Sequence, residues 1–228
     1  MGRVDTDRTD DLKLFVYKLA GLKKGEEAHF KVQSKNEETD KYEDLDNEEF
    51  IEGKLTKIKV REYEWEGKPI RKGQLHLVDS KAGEFYIVEF GMNSVSRSII
   101  NSLAGATEPI ERVKINLWNN KQGFPNASIK VNGLPTDWLY DWNDEIKPRI
   151  GLIDELDEDN NVVGQKKSYK KLDAWLLDEV FTVNIAKLIS DKAEIVPPNG
   201  KPVASEAELS GKDTPVEIKG EDEDDLPF

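Results

Sequence analysis

The sequence predicts a mainly β protein in which a helix separates the third and fourth of five strands. Three observations support this: runs that alternate apolar and polar residues, turn sequences between those runs, and one stretch of four-residue apolar periodicity. The chain has 228 residues and 37% hydrophobic content, which allows a real core. We therefore expect one β-rich core that carries polar extensions.

The five strands and the helix follow one another between positions 50 and 134. The first three strands are predicted in FIEGKLTKIKVREYEW, IRKGQLHLV and EFYIVEFGM, separated by turns at EGKP and SKAG. The stretch NSVSRSIINSLAGA predicts a helix that Asn93 or Ser94 caps and Gly105 closes. ERVKINLW and NASIKVNG supply the last two strands, joined by NNKQGFP.

This order of elements, within about 85 residues, is that of the OB-fold, a five-stranded barrel. The alternation in ERVKINLW is that of a half-buried strand. In the first strand the apolar phase changes between Leu55 and Ile58, which predicts a β-bulge near Thr56 or Lys57. The predicted fold is thus an OB-fold barrel with a helix between strands three and four, a C-terminal helical extension and a disordered acidic tail.

Composition divides the rest of the chain into segments. The stretch KNEETDKYEDLDNEE has too little apolar surface to fold alone. A helix from about Ser168 to Ile189 is expected to pack on the barrel or on a partner subunit, which allows a homodimer. The predicted boundaries are an N-terminal arm at 1–49, the core at 50–134, a helical extension at 135–195, a flexible linker at 196–220 and an acidic protein-interaction tip at 221–228.

Several classes of chemistry have no support in the sequence. The chain has no cysteine, which indicates a reducing compartment, the cytoplasm, and excludes thiolate metal sites. The N-terminus lacks the apolar region of a signal peptide, and no run approaches the roughly 18 apolar residues of a membrane span. No GxxxxGK[ST] loop occurs, and His29 and His76 stand far apart. We expect no catalytic site, no cofactor and no metal.

Charge is distributed unevenly along the chain. The net charge is −13, which by itself argues against a nucleic-acid partner. However, Phe50–Leu134 holds thirteen basic and nine acidic residues, a net of +4, whereas Val203–Phe228 holds nine acidic and two basic residues, a net of −7. The core is basic and the end is acidic.

Cations alternate with aromatic residues at positions of the core that are predicted to face outward. A surface of this kind holds both the charged backbone and the unpaired base faces of single-stranded nucleic acid. The candidate ligands are Lys57, Lys59, Arg61, Tyr63, Trp65, Arg71, Lys72, Lys114, Trp118, Lys121, Phe124 and Lys130. Alternatively, the arm or the C-terminal helix covers the rings. Stacking is favoured for Trp118, while stacking and packing fit Trp65 and Phe124 equally.

The chain ends in EDEDDLPF, five carboxylates followed by Leu, Pro and Phe. A tethered acidic segment competes with phosphates for a basic groove, so it is expected to weaken nucleic-acid binding. When the groove is occupied, a partner with a basic rim around an apolar pocket is expected to capture Leu226 and Phe228.

The last six residues, EDDLPF, resemble the tip of bacterial single-stranded DNA-binding proteins, in which three Asp precede Ile or Leu, Pro and Phe. In that family the tip recruits replication, recombination and repair enzymes. The resemblance therefore implies partner binding by Asp224, Asp225, Leu226, Pro227 and Phe228. The arm, single barrel, extra helix and Phe-terminated tail are more similar to the single-stranded DNA-binding proteins of tailed bacteriophages, which implies the host cytoplasm.

We therefore expect a non-enzymatic, sequence-independent single-stranded DNA-binding protein that protects strands and brings partner enzymes to them. The alternative is an acidic DNA mimic that inhibits a nucleic-acid enzyme, which the net charge of −13 and the acidic arm favour and the basic core disfavours. A third hypothesis is a metal-dependent nuclease that uses dispersed carboxylates.

Overall fold

A computed structural model describes residues 13–36, 38–39, 41–79, 82–156 and 161–189. In this part the protein is mainly β, as predicted. The strands are β1 (Lys13–Ala20), β2 (His29–Asn36), β3 (Lys41–Glu48), β4 (Phe50–Trp65), β5 (Lys68–Asp79), β6 (Glu84–Phe90), β7 (Arg112–Asn119), β8 (Pro125–Val131), β9 (Leu134–Pro135), β10 (Gly151–Leu156) and β11 (Val162–Ser168). The helices are α1 (Ser94–Ala104), α2 (Lys170–Trp175) and α3 (Ala186–Leu188), with π-helical segments at Trp142–Ile146 and Leu176–Ile185 and a 3₁₀ turn at Lys147–Arg149.

The predicted succession of three strands, a helix and two strands is confirmed in β4, β5, β6, α1, β7 and β8. The predicted closed five-stranded barrel is wrong, because the described residues form a nine-stranded sheet in the order β3-β2-β1-β6-β5-β4-β7-β8-β9. The physical reason is that the two ends of the five-stranded succession pair with other strands. β1 pairs parallel to β6, while β8 pairs with β7 and β9, so these strands extend the sheet instead of closing it.

The N-terminal residues that composition assigned to an arm form β1, β2 and β3 of this sheet. Tyr17, Phe30 and Val32 are buried in the same core as β4 to β8. The polar composition that separated this region belongs mainly to β3, an exposed strand at the edge of the sheet. Edge strands are commonly charged, because charge prevents pairing with other chains.

Local signals in the sequence predict the bulge in β4 and the capped helix α1, and both predictions are confirmed. The pairing of β4 with β5 shifts register between Leu55 and Lys57, which confirms the bulge. β4 pairs with β7 over Phe50–Lys54 and with β5 from Lys54 to Trp65, and the bulge bends the strand just after the part that pairs with β7. Asn93 caps α1: its side chain accepts from the Ser96 amide at 3.0 Å, and Ser96 Oγ accepts from the Asn93 amide at 2.8 Å.

The sheet curls until its first hairpin touches the β7–β8 loop. The amide of Gly25 donates to the carbonyl of Gly123 at 2.9 Å. Asn119 bridges the same two loops, since its Oδ1 accepts from the Ala28 amide at 2.9 Å. The described sheet therefore approaches a barrel through loop contacts instead of through a closing pair of strands.

The C-terminal helix, predicted from about Ser168 to Ile189, is present from Lys170 to Leu188 and packs on the inner side of the sheet. In contrast, Gly151–Leu156 and Val162–Ser168, which belong to the predicted helical extension, form the strands β10 and β11. The ring centroids of Phe181 and Phe90 lie 5.8 Å apart. Arg97 of α1 binds the Asp173 carboxylate with two hydrogen bonds, of 2.8 and 3.3 Å. Among the described residues, no helix is long and apolar enough to cross a membrane.

Candidate nucleic-acid interface

The outer surface of β4, β7 and β8 forms one continuous face, because outward residues alternate with buried ones in all three strands. Strand pairing aligns their outward positions, with Glu52 opposite Lys114 and Lys114 opposite Lys130. We call this surface the β7 face. Its members are Phe50, Glu52, Lys54, Arg112, Lys114, Asn116, Trp118, Asn126, Ser128 and Lys130.

Two large aromatic rings of the β7 face are exposed. Trp118 is 45% exposed and Phe50 is 49% exposed. The Lys114 Nζ lies 4.1 Å from the centroid of the Phe50 ring, so an ammonium and a ring are already in contact on this surface. The prediction that Lys114 and Trp118 face away from the core is confirmed.

Four cations and one carboxylate give the β7 face a formal charge of +3. The carboxylate, Glu52, accepts from Arg112 Nε at 2.7 Å and lies 3.7 Å from Lys114 Nζ. The hydrogen bond from Arg112, followed by the charges of both cations, lowers the pKa of Glu52. Glu52 therefore stays ionised and offsets part of the charge of Arg112, while Lys130 is exposed on the neighbouring strand.

The β7–β8 loop places the other two predicted ligands of this region at the end of the β7 face. Lys121 is exposed, whereas Phe124 is half-buried with Lys24 Nζ 4.7 Å from its ring centroid. The loop is fixed by Asn120, whose Oδ1 accepts from the Phe124 amide at 3.0 Å. Phe124 therefore already has a cation over its ring.

An acidic cleft limits this end of the face. A space of about 450 Å³ lies beside Trp118, between the β1–β2 and β7–β8 loops, and Glu26, Glu27 and Glu49 line it. Three carboxylates disfavour a phosphate backbone in the cleft. The cleft is therefore an unfavourable place for an anionic ligand.

Beyond the bulge, Lys57 and Lys59 continue on the same side of the sheet and are exposed. Trp65 lies at the other end of the 16-residue β4 from Phe50, a contour of about 50 Å at roughly 3.3 Å per residue. The structure therefore places the predicted ligands in two groups, one at each end of a long strand, with lysines between them.

Arg61 and Lys72 converge on a buried carboxylate. Glu89 is only 5% exposed, and it accepts from Lys72 Nζ at 2.9 Å and Arg61 Nη1 at 3.5 Å. Gln74 Nε2 donates to it at 2.9 Å. Burial favours the protonated form of Glu89, but Lys72, Gln74 and Arg61 outweigh it, so its pKa is lowered. Much of the charge of both cations is thus neutralised within the protein.

Tyr63 and Trp65 stand at the tip of the β4–β5 hairpin and are both half-buried. Arg61 and Lys72 lie over the Tyr63 ring, 5.1 and 5.4 Å from its centroid. The Trp65 Nε1 is buried and has no hydrogen-bond partner in the part of the chain that the structure describes. Both rings therefore have a packed side.

Arg71 faces the opposite side of the sheet from its neighbour Lys72. Its Nε donates to Glu62 at 2.7 Å, and its Nη1 donates to Asp178 of the C-terminal helix at 3.2 Å. Hydrogen bonding to Asp178 raises the pKa of Arg71 and lowers that of Asp178. Arg71 thus anchors the C-terminal helix.

Phe50 is the exposed ring of the β7 face that the sequence analysis did not predict. The signal for Phe50 was its alternation with buried Ile51 and Gly53.

The predicted partner-binding tip and the linker lie outside the described residues. No group of three or more His, Asp or Glu in the described ranges is arranged to hold a metal ion. Comparison with family models, with curated proteins and with solved structures gave no match.

Proposed function

We propose that the chain binds single-stranded DNA without sequence preference, through the β7 face and the lysines that follow along β4. The observation that supports this most directly is the pair of exposed rings, Trp118 and Phe50, within a surface of net positive charge. Unpaired bases stack on such rings whatever their identity, and the ammonium groups hold the phosphates. Duplex DNA hides its base faces, so single strands are the preferred ligand.

The path of the strand follows from the charges. It begins at Trp118 and Phe50, avoids the acidic cleft, and continues past Lys54, Lys57 and Lys59. OB-folds cover roughly 4 to 16 nucleotides each, which sets the scale of the site proposed here. The order of three strands, a helix and two strands supports an OB-related architecture that β1 holds open.

The acidic tip, residues 221–228, acts as a competitor for the β7 face and as a hook for partner enzymes of replication, recombination and repair. Its support is its sequence, five carboxylates and then an apolar end that closes with Phe228. The predicted flexible linker, residues 196–220, presents the tip at roughly millimolar effective concentration. The protein would act in the cytoplasm and would leave the bound strand intact.

The direct test is a titration of the intact chain with oligo-dT, followed by the fluorescence of its five tryptophans. We expect quenching as bases stack on Trp118. If three to five lysines contact phosphates, log K should fall against log salt with a slope of about −2 to −3.5. Absence of binding at 50 mM salt, or binding that salt does not weaken, would refute the proposal.

A second function, an acidic DNA mimic, is favoured by one observation. The edge strand β3 is exposed and carries Glu43, Asp44, Asp46 and Glu48. This hypothesis predicts that the chain ignores oligo-dT and binds a DNA-handling enzyme instead. The same titration separates the two functions, since only the first predicts binding of the oligonucleotide.

A further inference from the structure

A small pocket lies between α1, the C-terminal helix and the residues around Tyr140. On the α1 side it is lined by Ser94, Arg97, Ser98 and Asn101, whose spacings of three and four residues place them on one side of the helix. Asn101 fixes the opposite wall, because its Nδ2 donates to the Tyr140 carbonyl at 3.0 Å and its Oδ1 accepts from the Tyr140 amide at 2.9 Å. The two sides of the pocket are therefore held together by hydrogen bonds.

The other walls of the pocket are apolar and mainly aromatic. They consist of Trp138, Trp142, Ile146, Tyr169, Leu172 and Leu176. Trp138 is 37% exposed, and Trp142 and Tyr169 are half-buried. Three rings around one opening suit a further ring, since aromatic side chains pair at centroid distances of about 4.5 to 7 Å. Six side chains share these walls, so truncation of one of them leaves most of the contact surface in place. We call this site the tryptophan pocket.

Cations stand at the rim of the tryptophan pocket. The Cζ of Arg97 lies 4.0 Å from the centroid of the Tyr169 ring. Arg97 binds Asp173 through Nε and Nη2, which leaves Nη1 without a hydrogen bond in the part of the chain that the structure describes. Lys170 and Lys171 are exposed at the start of α2. The ligand that suits the pocket is therefore an apolar ring with carboxylates close by.

We propose that the acidic tip of this chain occupies the tryptophan pocket, with Phe228 among the rings and the preceding carboxylates at the cations of the rim. Phe228 is the only aromatic residue in residues 190–228, and Asp224 and Asp225 precede it by four and three positions. The three rings of the wall each have a further interaction partner besides those named above. This favours a segment of the chain itself over an outside ligand.

The described part of the chain ends within reach of the pocket. Ile189 forms a β-bridge with Ile110, six positions after the end of the 11-residue α1. At most about 40 Å therefore separates Ile189 from the first turns of α1. The 39 residues from 190 to 228 span about 35 Å if they are as flexible as predicted. The tip is then present at roughly millimolar effective concentration, which fills even a weak site. The pocket contains no residue of the β7 face, so this proposal does not depend on DNA binding.

The indole N–H resonances of the intact chain test the proposal. The five tryptophans give five peaks in a nitrogen–proton correlation spectrum, and replacing each by phenylalanine in turn assigns them. Phe228→Ala should shift the peaks of Trp138 and Trp142 and leave that of Trp118 in place. The matched control is Ile218→Ala, an apolar truncation in the same tail, which should move none of these peaks. Unchanged Trp138 and Trp142 peaks in Phe228→Ala would overturn the inference, and so would a shift of the Trp118 peak alone, which indicates a tip bound at the β7 face.

A paramagnetic label distinguishes the tip of the same chain from that of a second copy. Because the chain has no cysteine, Glu221→Cys provides a single site for a nitroxide. The label should broaden the peaks of Trp138 and Trp142 more than that of Trp118, and the added Phe228→Ala should abolish this difference. The broadening should not change with protein concentration, and mixing labelled chains with unlabelled, isotope-enriched chains should give none. Broadening that appears in the mixture, or equal broadening of all three peaks, excludes docking of the tip in its own pocket.

Discussion

Truncation of the two exposed rings is the sharpest test of the proposed DNA-binding surface. Each of Trp118 and Phe50 is about half exposed, so part of each ring is open to a base. Base–aromatic stacking contributes about 1 to 3 kcal/mol per base. Trp118→Ala alone should therefore weaken oligo-dT binding about 5- to 150-fold.

Phe50→Ala has a second effect, because the ring also contacts Lys114 at 4.1 Å. An exposed contact of this kind contributes about 0.5 to 1 kcal/mol, and its loss frees the ammonium to move. The two rings lie on either side of Asn116, which pairs with Phe50 and stands two residues before Trp118 on the same face, so their effects need not add. If the lower stacking values add, the double variant should lose about 30-fold in affinity, and in any case it should bind more weakly than either single variant.

The assay is fluorescence anisotropy of a labelled oligo-dT at fixed salt, with the variants checked for an unchanged melting temperature. Trp138→Ala is the matched control. Trp138 is 37% exposed and sits near α1, where its indole N–H donates to Ser98 at 3.3 Å. If the double variant binds as tightly as the wild type and the control, the β7 face is not the site.

Three further predictions concern the tip and two buried groups. Removal of residues 221–228 should tighten oligo-dT binding, most at low salt; weaker binding in the same anisotropy assay would contradict the competition. Burial, with the charges of Lys57 and Lys59, lowers the pKa of His76 to about 4. The fold thus favours the neutral ring, the unfolded chain takes up the proton first, and stability should fall by up to about 3 kcal/mol as pH drops from about 6.5 to 4. Urea unfolding of His76→Leu should lack this part of the pH dependence. Glu89→Leu leaves buried Arg61 without its carboxylate and should lower the free energy of unfolding by about 3 to 5 kcal/mol; a loss under 1 kcal/mol in urea would contradict this.

The elements that the sequence predicted well are those with local signals. The capping side chain of Asn93 and the change of apolar phase after Leu55 each act within a few residues. Alternation likewise predicted that Trp118 faces outward. A sequence pattern is sufficient where the structure depends on neighbours along the chain.

The parts that the sequence did not predict depend on distant partners. No local signal indicates that β1 pairs with β6, because the residues that pair, such as Lys13 and Glu84, lie far apart in the sequence. The strand β3 is polar because it lies at an edge, and polar composition is also typical of an unfolded arm. For the same reason the alternation of β4 predicts an open ligand at Arg61, although Glu89 on another strand binds it.

The parallel pairing of β1 with β6 also constrains how the chain folds. The first hairpin leaves the ribosome early, but its docking edge exists only after residue 90 has been synthesised. Until then Phe30 and Val32 have no core to enter, which leaves apolar surface exposed to other nascent chains. Such distant contacts slow folding. The β1–β2 hairpin can therefore join the sheet only after β6 is available to pair with it.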